Sequence, residues 1–228
     1  MKYTLINPKI EAQITEIKSK IRLSMNGIVS DQMTRNGILY KINYGVSIPR
    51  IKEIASMYSP NHELAQRLWN LQIRETMILA TLLEPVDTFN IDMAKQIAVS
   101  FNQIEIIEQA CMNLFCKLPF SNKLCSELIH SKTTWMQITG YILAARILGK
   151  LDLSEINEIV LHALLVSDTG NLHLYKAVAL CLSRFCRKGK ETAAYILKEI
   201  TAFSQITSIS QQYISNEVKQ EILFLDIL

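Results

Sequence analysis

Apolar residues recur at helical spacing along almost the whole chain, and almost no segment alternates apolar and polar residues as a half-buried strand would. This period of about 3.6 residues predicts an all-α protein. The periodic segments are short and end at turn residues such as Pro119 and Gly149, which favours many short helices over a long coiled coil. To within a few residues, the predicted helices lie near 8–25, 28–42, 48–58, 61–70, 73–84, 90–101, 104–116, 120–130, 133–149, 153–166, 171–187, 189–203 and 211–226.

The composition indicates an ordered protein. Hydrophobic residues make up 49% and charged residues 20% of the 228 residues, and the net charge is only +3. No segment approaches the roughly 18–20 uninterrupted apolar residues of a membrane span, and the N-terminus lacks the apolar run of a signal peptide. The five cysteines are odd in number, lack C-x-x-C spacing and mostly lie among apolar neighbours. We therefore expect a soluble cytoplasmic protein with buried, reduced thiols.

Three helix starts between Tyr44 and Leu83 have clear physical causes. Gly45 permits a turn, and Pro49 suits a first helical turn because its missing N–H would be unpaired there. Ser59-Pro60-Asn61 breaks the next connection and provides a cap, while Glu63 favours the positive end of the helix that follows. Short helices that follow one another as hairpins are typical of a helical solenoid.

A faint internal repeat also favours stacked hairpins. A shift of sixty residues superposes Leu64 and Leu68 on Leu124 and Leu128, and the set Ile78, Leu82 and Leu83 on Ile138, Ile142 and Leu143. Two hairpins of roughly 30–40 residues, the size of HEAT-like repeats, fit in that interval. A solenoid would bury a continuous core and leave a concave groove free for a large ligand, whereas an ordinary helical bundle is the alternative.

The sequence predicts no metal site and no cofactor. The histidines at 62, 130, 162 and 173 are scattered, with no pair at i, i+4 and no H-E-x-x-H motif. His162 lies among apolar residues, and we interpret it as a core histidine with a hydrogen-bond partner. The chain also lacks a phosphate-binding glycine loop, a G-x-S-x-G motif and a dinucleotide fingerprint.

The predicted helix over 171–187 carries a basic face opposite its apolar face. The basic face consists of Lys176, Leu180, Ser183, Arg184 and Arg187. Lys188 and Lys190 continue the positive charge on both sides of Gly189. Because the next helix begins there with free backbone N–H groups, the binding of phosphate groups would be favoured at this position. Arg146 and Lys150 share one side of the preceding long helix and extend the candidate groove. A solvated helix face with a lysine-rich turn is the alternative.

Glu108 is the candidate acid. It lies on the same helical strip as the apolar residues Ile104, Cys111 and Phe115. A carboxylate in that position is either a functional acid or a residue at the edge of the strip that reaches solvent.

The segment from Tyr44 to Leu83 resembles the DNA alkylation repair family, the AlkD-type glycosylases built from HEAT-like repeats. Its motifs are Y-G-V-x-x-P-x-I-x-x-I-A, E-L-A-x-x-L-W and R-E-x-x-x-L-A. The resemblance covers roughly residues 30–205 and implies one right-handed superhelical domain over 1–228, with residues 1–25 as an N-terminal capping helix. It also implies a basic concave groove that cradles duplex DNA. The matching residues are mainly architectural, so they support the fold more than the reaction.

The resemblance implies release of N3- or N7-alkylated purines by cleavage of the N-glycosidic bond. A carboxylate stabilises the developing oxocarbenium sugar, and tryptophans flank the lesion. At the matching positions this chain has Glu108 in place of an aspartate, Ile104 and Leu180 in place of tryptophans, and Ser183 in place of an arginine. Trp135 is retained, but Ile138 stands where a second arginine is usual. Each missing tryptophan removes about 1–3 kcal/mol of stacking or cation–π free energy from binding of the lesion.

We therefore expect a DNA-binding protein in which alkylpurine excision is weak or absent. The partner implied is duplex DNA, including alkylated DNA, bound by a monomer that associates with the nucleoid. The DNA-binding residues would be Arg146, Lys150, Lys176, Arg184, Arg187, Lys188 and Lys190, with Ile104, Leu180 and Ser183 facing the lesion. Two alternatives stay open: an active alkylpurine glycosylase that uses Glu108, and a helical scaffold for protein partners.

Overall fold

A computed structural model describes residues 7–201 and 208–227, and its regular structure in those ranges is helical. The α-helices are α1 (Pro8–Leu23), α2 (Gly27–Arg35), α3 (Ile48–Ala55), α4 (His62–Asn70), α5 (Arg74–Leu83), α6 (Ile91–Val99), α7 (Ile104–Asn113), α8 (Ser121–Ile129), α9 (Thr134–Arg146), α10 (Leu153–Leu165), α11 (Leu172–Cys186), α12 (Lys190–Thr201) and α13 (Ile209–Leu225). The prediction of an all-α protein is confirmed. Residues 202 and 203, which the sequence assigns to the twelfth helix, lie outside the described residues. None of the helices in the described ranges is long and apolar enough to cross a membrane.

Helix α2 ends earlier than the sequence predicts. The apolar spacing extends to residue 42, but the helix stops at Arg35 because Gly37 has φ +81. The N–H of Ile38 donates to the carbonyl of Met33 and the N–H of Gly37 to that of Thr34, both at 3.0 Å. These two bonds form a Schellman motif, which satisfies the last carbonyls of the helix and ends it.

Two other predicted helices are also too long. The predictions over 104–116 and 133–149 end as α-helices at Asn113 and Arg146, and each is followed by a separate 3-10 turn, at Phe115–Lys117 and Leu148–Lys150. Such tight turns are common at the ends of α-helices.

The chain forms two compact units that divide between Phe89 and Asn90. In the first unit, α1, α3, α4 and α5 pack together around fully buried residues that include Ile17, Ile51, Leu64 and Ile78. Helix α2 contributes no buried residue. The single domain over 1–228 remains a prediction.

A buried ion pair, Arg74–Glu75, joins α5 of the first unit to the loop that contains Gly45. The fully buried Glu75 carboxylate accepts hydrogen bonds from the N–H groups of Tyr44 (3.1 Å) and Val46 (3.2 Å) and from the Arg74 guanidinium (3.1 Å). Arg74 also donates to the Val46 carbonyl at 2.9 Å. Gly45 has φ +67, and a Cβ there would lie 2.1 Å from the carbonyl oxygen of Asn26, so only glycine fits. The Y-G-V and R-E motifs therefore form one architectural network.

The second unit has two layers of helices. Helices α7, α9, α11 and α13 pack side by side in one layer, and α6, α8, α10 and α12 form the other. In the first layer, ring contacts join Trp135 to His173 (5.5 Å between centroids) and Tyr175 to Tyr213 (5.3 Å). Both pairs are 38 residues apart, so successive hairpins repeat within the predicted range. Arg146 and Arg184 have the same spacing, and they occupy equivalent positions of neighbouring hairpins.

Candidate functional site

Glu108 on α7 and Arg146 on α9 lie close enough for their charges to interact. Glu108 is half-buried, and its side-chain carboxylate accepts no hydrogen bond from residues 7–201 and 208–227. Burial raises the pKa of its carboxyl, the Arg146 guanidinium opposes this, and the Glu105 carboxylate adds to it. The side chain is therefore neither in the core nor at a solvated edge, and it can accept a hydrogen bond or face a positive charge.

Four of the predicted DNA-binding cations are available to a ligand. Arg146 and Arg184 are exposed, and neither guanidinium group forms a hydrogen bond or an ion pair with the described part of the chain. Lys190 is exposed at the start of α12. The ammonium of Lys176 lies 6.0 Å from the centroid of the Tyr213 ring, which is the limit of a cation–π contact.

Lys150 and Lys188 have a structural role that the sequence did not reveal. Lys150 Nζ donates to the carbonyl of Cys116 at 2.8 Å, and Lys188 Nζ donates to the carbonyls of Leu151 (2.9 Å) and Leu148 (3.3 Å). Each lysine thereby bonds the turn of the preceding hairpin. An ammonium has three donors, so phosphate would have to share these groups with backbone carbonyls. Their binding to DNA stays a prediction.

Arg187 forms an ion pair with Glu221 of α13, and this hydrogen bond raises the pKa of the guanidinium. Sequence reasoning missed this partner because α13 was interpreted only as a helix. The signal was present, since Glu217 and Glu221 are spaced i, i+4 and share one face. The basic face of α11 is therefore partly neutralised by α13.

A groove of about 540 Å³ runs between these two helices, and we call it the α11/α13 groove. Helix α11 lines it with Lys176, Leu180, Ser183 and Arg184, and Arg187 lines it just after the end of that helix. Helix α13 lines it with Tyr213, Glu217, Glu221 and Phe224. The Ser183 hydroxyl is buried and has no hydrogen-bond partner within residues 7–201 and 208–227. Of the three predicted lesion-facing residues, Leu180 and Ser183 share this groove. Ile104 lies on α7, outside its lining.

The expectation that His162 has a partner is confirmed. Its Nδ1 lies 2.7 Å from the hydroxyl of Tyr141, and its ring centroid is 4.7 Å from that of His130. Burial and the neighbouring His130 lower its pKa, while Glu158 opposes the change. The side chain is half-buried rather than part of the core. Among the described residues, no group of three His, Cys, Asp or Glu side chains is placed to hold a metal ion.

Comparison with known proteins adds a family and a fold. The sequence profile of a family described as "DNA alkylation repair enzyme" matches residues 28–210. A solved structure from "a new family of proteins related to the HEAT-like repeat DNA glycosylases with affinity for branched DNA structures" is similar, with a TM-score of 0.72 and 13% identity over 81% of this chain and 82% of that chain. This similarity confirms the HEAT-like helical-repeat fold. No curated protein matches the chain.

Proposed function

Because this chain belongs to the DNA alkylation repair enzyme family, we propose that it binds duplex DNA through the exposed faces of α9 and α11, with alkylpurine excision weak or absent. The supporting observation is the pair of exposed arginines, Arg146 and Arg184, in equivalent positions of neighbouring hairpins. Neighbouring helix axes lie about 8–10 Å apart, which is roughly the rise of three nucleotides along one strand. Two long, exposed side chains on helices with that separation can reach phosphates of the same strand. We place this binding at the cytoplasmic nucleoid.

Weak or absent excision follows from the side chains that stand at the lesion-facing positions. Ile104 and Leu180 provide apolar contact but no aromatic face for a cationic base. The longer side chain of Glu108 also moves its carboxylate relative to that of an aspartate, and catalysis tolerates little displacement.

An active alkylpurine glycosylase is the second candidate function, and Glu108 supports it. This carboxylate is half-buried, has no hydrogen bond within the described residues and lies near Arg146. A carboxylate without a fixed partner is able to stabilise positive charge on a deoxyribose ring.

Fluorescence anisotropy with a labelled blunt duplex at several salt concentrations tests the binding proposal. We expect Arg146→Ala and Arg184→Ala each to reduce the magnitude of the slope of log K against log salt by about 0.9, which corresponds to one phosphate contact. Lys198→Ala is the matched control, because this exposed lysine lies on α12 in the other layer. A four-way junction whose arms have the same sequence is measured in parallel, because the similar solved structure comes from a family with affinity for branched DNA. Absence of duplex binding at low salt would refute the proposal.

Release of 7-methylguanine and 3-methyladenine from alkylated duplex separates the two candidate functions. We expect the wild type and Glu108→Gln to give the same background level. Release by the wild type that Glu108→Gln abolishes would instead establish the glycosylase, provided that both proteins bind the blunt duplex equally.

A further inference from the structure

We propose that the α11/α13 groove binds a single strand of DNA that extends from a duplex. This inference rests on the DNA binding proposed above and deepens it, because it specifies a ligand with both paired and unpaired nucleotides. The dimensions of the groove, the distribution of its charges, and its unpartnered side chains each support it.

The groove has the dimensions of one strand rather than two. Tyr213 lies at one end and Phe224 at the other, eleven residues apart on α13, which is about 16 Å along a helix. The axes of two packed helices are only about 8–10 Å apart, so a duplex, whose major groove alone is about 12 Å wide, does not fit between them. At about 3.4 Å per stacked nucleotide, the length of the groove matches four or five nucleotides of a single strand lying along it.

The charges of the groove differ between its two walls. On α11, Lys176 and Arg184 have no carboxylate partner among the described residues, whereas Arg187, at the end of the helix, is paired with Glu221. On α13, Glu217 supplies a carboxylate. Phosphates are therefore attracted to the α11 wall. The bases, whose exocyclic amino groups are hydrogen-bond donors, face the α13 wall.

Three side chains in the groove lack the contacts that they would have in a closed protein surface. Phe224 is 80% exposed, and the apolar residue Leu180, which also lines the groove, is 39% exposed. The Ser183 hydroxyl is buried and has no hydrogen-bond partner in the part of the chain that the structure describes. A base can stack on the phenyl ring, and a phosphate or sugar oxygen can accept the hydroxyl proton.

The experiment compares three fluorescent probes by anisotropy: a blunt duplex, the same duplex with a five-nucleotide single-stranded tail, and the tail alone. We expect the wild type to bind the tailed duplex about tenfold more tightly than the blunt duplex, the effect of one or two stacked bases. Phe224→Ala should remove most of this preference, and Phe224→Trp should retain it. The matched control is Leu165→Ala, since Leu165 is 82% exposed on α10 and lies outside the groove.

Ser183→Ala separates a ligand-binding hydroxyl from one that is merely unpaired. If the hydroxyl binds the tail, the substitution lowers affinity for the tailed duplex severalfold and does not lower the Tm. If the hydroxyl binds nothing, affinity is unchanged, and the inference loses this support.

The outcomes distinguish this inference from the function on which it rests. Equal affinity for blunt and tailed duplexes, together with no effect of Phe224→Ala, would overturn the single-strand site and leave duplex binding intact. Failure of the wild type to bind any of the three probes would overturn both.

Discussion

The buried Glu75 carboxylate allows a quantitative test of what holds the first unit together. Glu75→Gln preserves the size of the side chain but removes its charge. The oxygen Oε1 accepts from Tyr44, Val46 and Arg74, and Oε2 lies 3.2 Å from the N–H of Tyr44. In the variant, an amide NH₂ group replaces one of these oxygens, so that its N–H faces an N–H or guanidinium donor instead of accepting from it. The remaining oxygen still accepts hydrogen bonds, but these bonds are weaker because the acceptor is no longer charged.

The expected loss of unfolding free energy is about 3–4 kcal/mol. Hydrogen bonds to charged groups contribute about 1.5–3 kcal/mol each, and breaking a buried ion pair costs about 3–5 kcal/mol. The matched control is Glu53→Gln, which breaks the exposed Arg50–Glu53 pair. That pair is shorter, at 2.7 Å against 3.1 Å for Arg74–Glu75, yet exposed pairs are worth only about 0–1 kcal/mol. Burial rather than distance should therefore decide the result.

Urea unfolding followed by circular dichroism measures both variants, and hydrogen exchange localises the effect. We expect the amides of Tyr44 and Val46 to exchange faster in Glu75→Gln and to be unchanged in Glu53→Gln. The reasoning is refuted if the two variants lose similar amounts of stability, or if Glu75→Gln leaves the exchange of the 44–46 loop unaltered.

Three further predictions concern the second unit. Because the pKa of His162 is lowered on folding, the unfolded chain binds its proton first, so the stability from this neutral histidine is present above about pH 6.5 and is lost as the pH falls. Thermal unfolding between pH 7.5 and 5 should show this loss, and His162→Asn should reduce the pH dependence. Glu221→Gln frees Arg187 and should steepen the salt dependence of binding to tailed duplex by about one phosphate contact, whereas an unchanged slope would show that Arg187 does not contact DNA. Lys188→Ala should lower the Tm by about 2–4 °C because two carbonyls lose a charged donor, while Lys190→Ala should not, and equal Tm values would contradict the proposed role of Lys188.

Helical periodicity was sufficient to predict an all-α protein because most of the helices bury an apolar face in the core of their own unit. It failed at α2, where apolar spacing continues to residue 42 although Gly37 ends the helix by its backbone conformation. Spacing also identified the basic face of α11 and the strip of Glu108, since both lie within single helices. It did not predict that Glu221 pairs with Arg187 or that Lys188 bonds the preceding turn, because these contacts join residues more than thirty positions apart.

The lysine contacts between hairpins have a direction. Lys150 and Lys188 each bond carbonyls that precede them in the chain by 34 to 40 residues. On the ribosome, the acceptor turn therefore emerges before the donor that fastens it. Each newly synthesised hairpin can lock the one before it, so this half of the protein is suited to ordering progressively from its N-terminal side during translation.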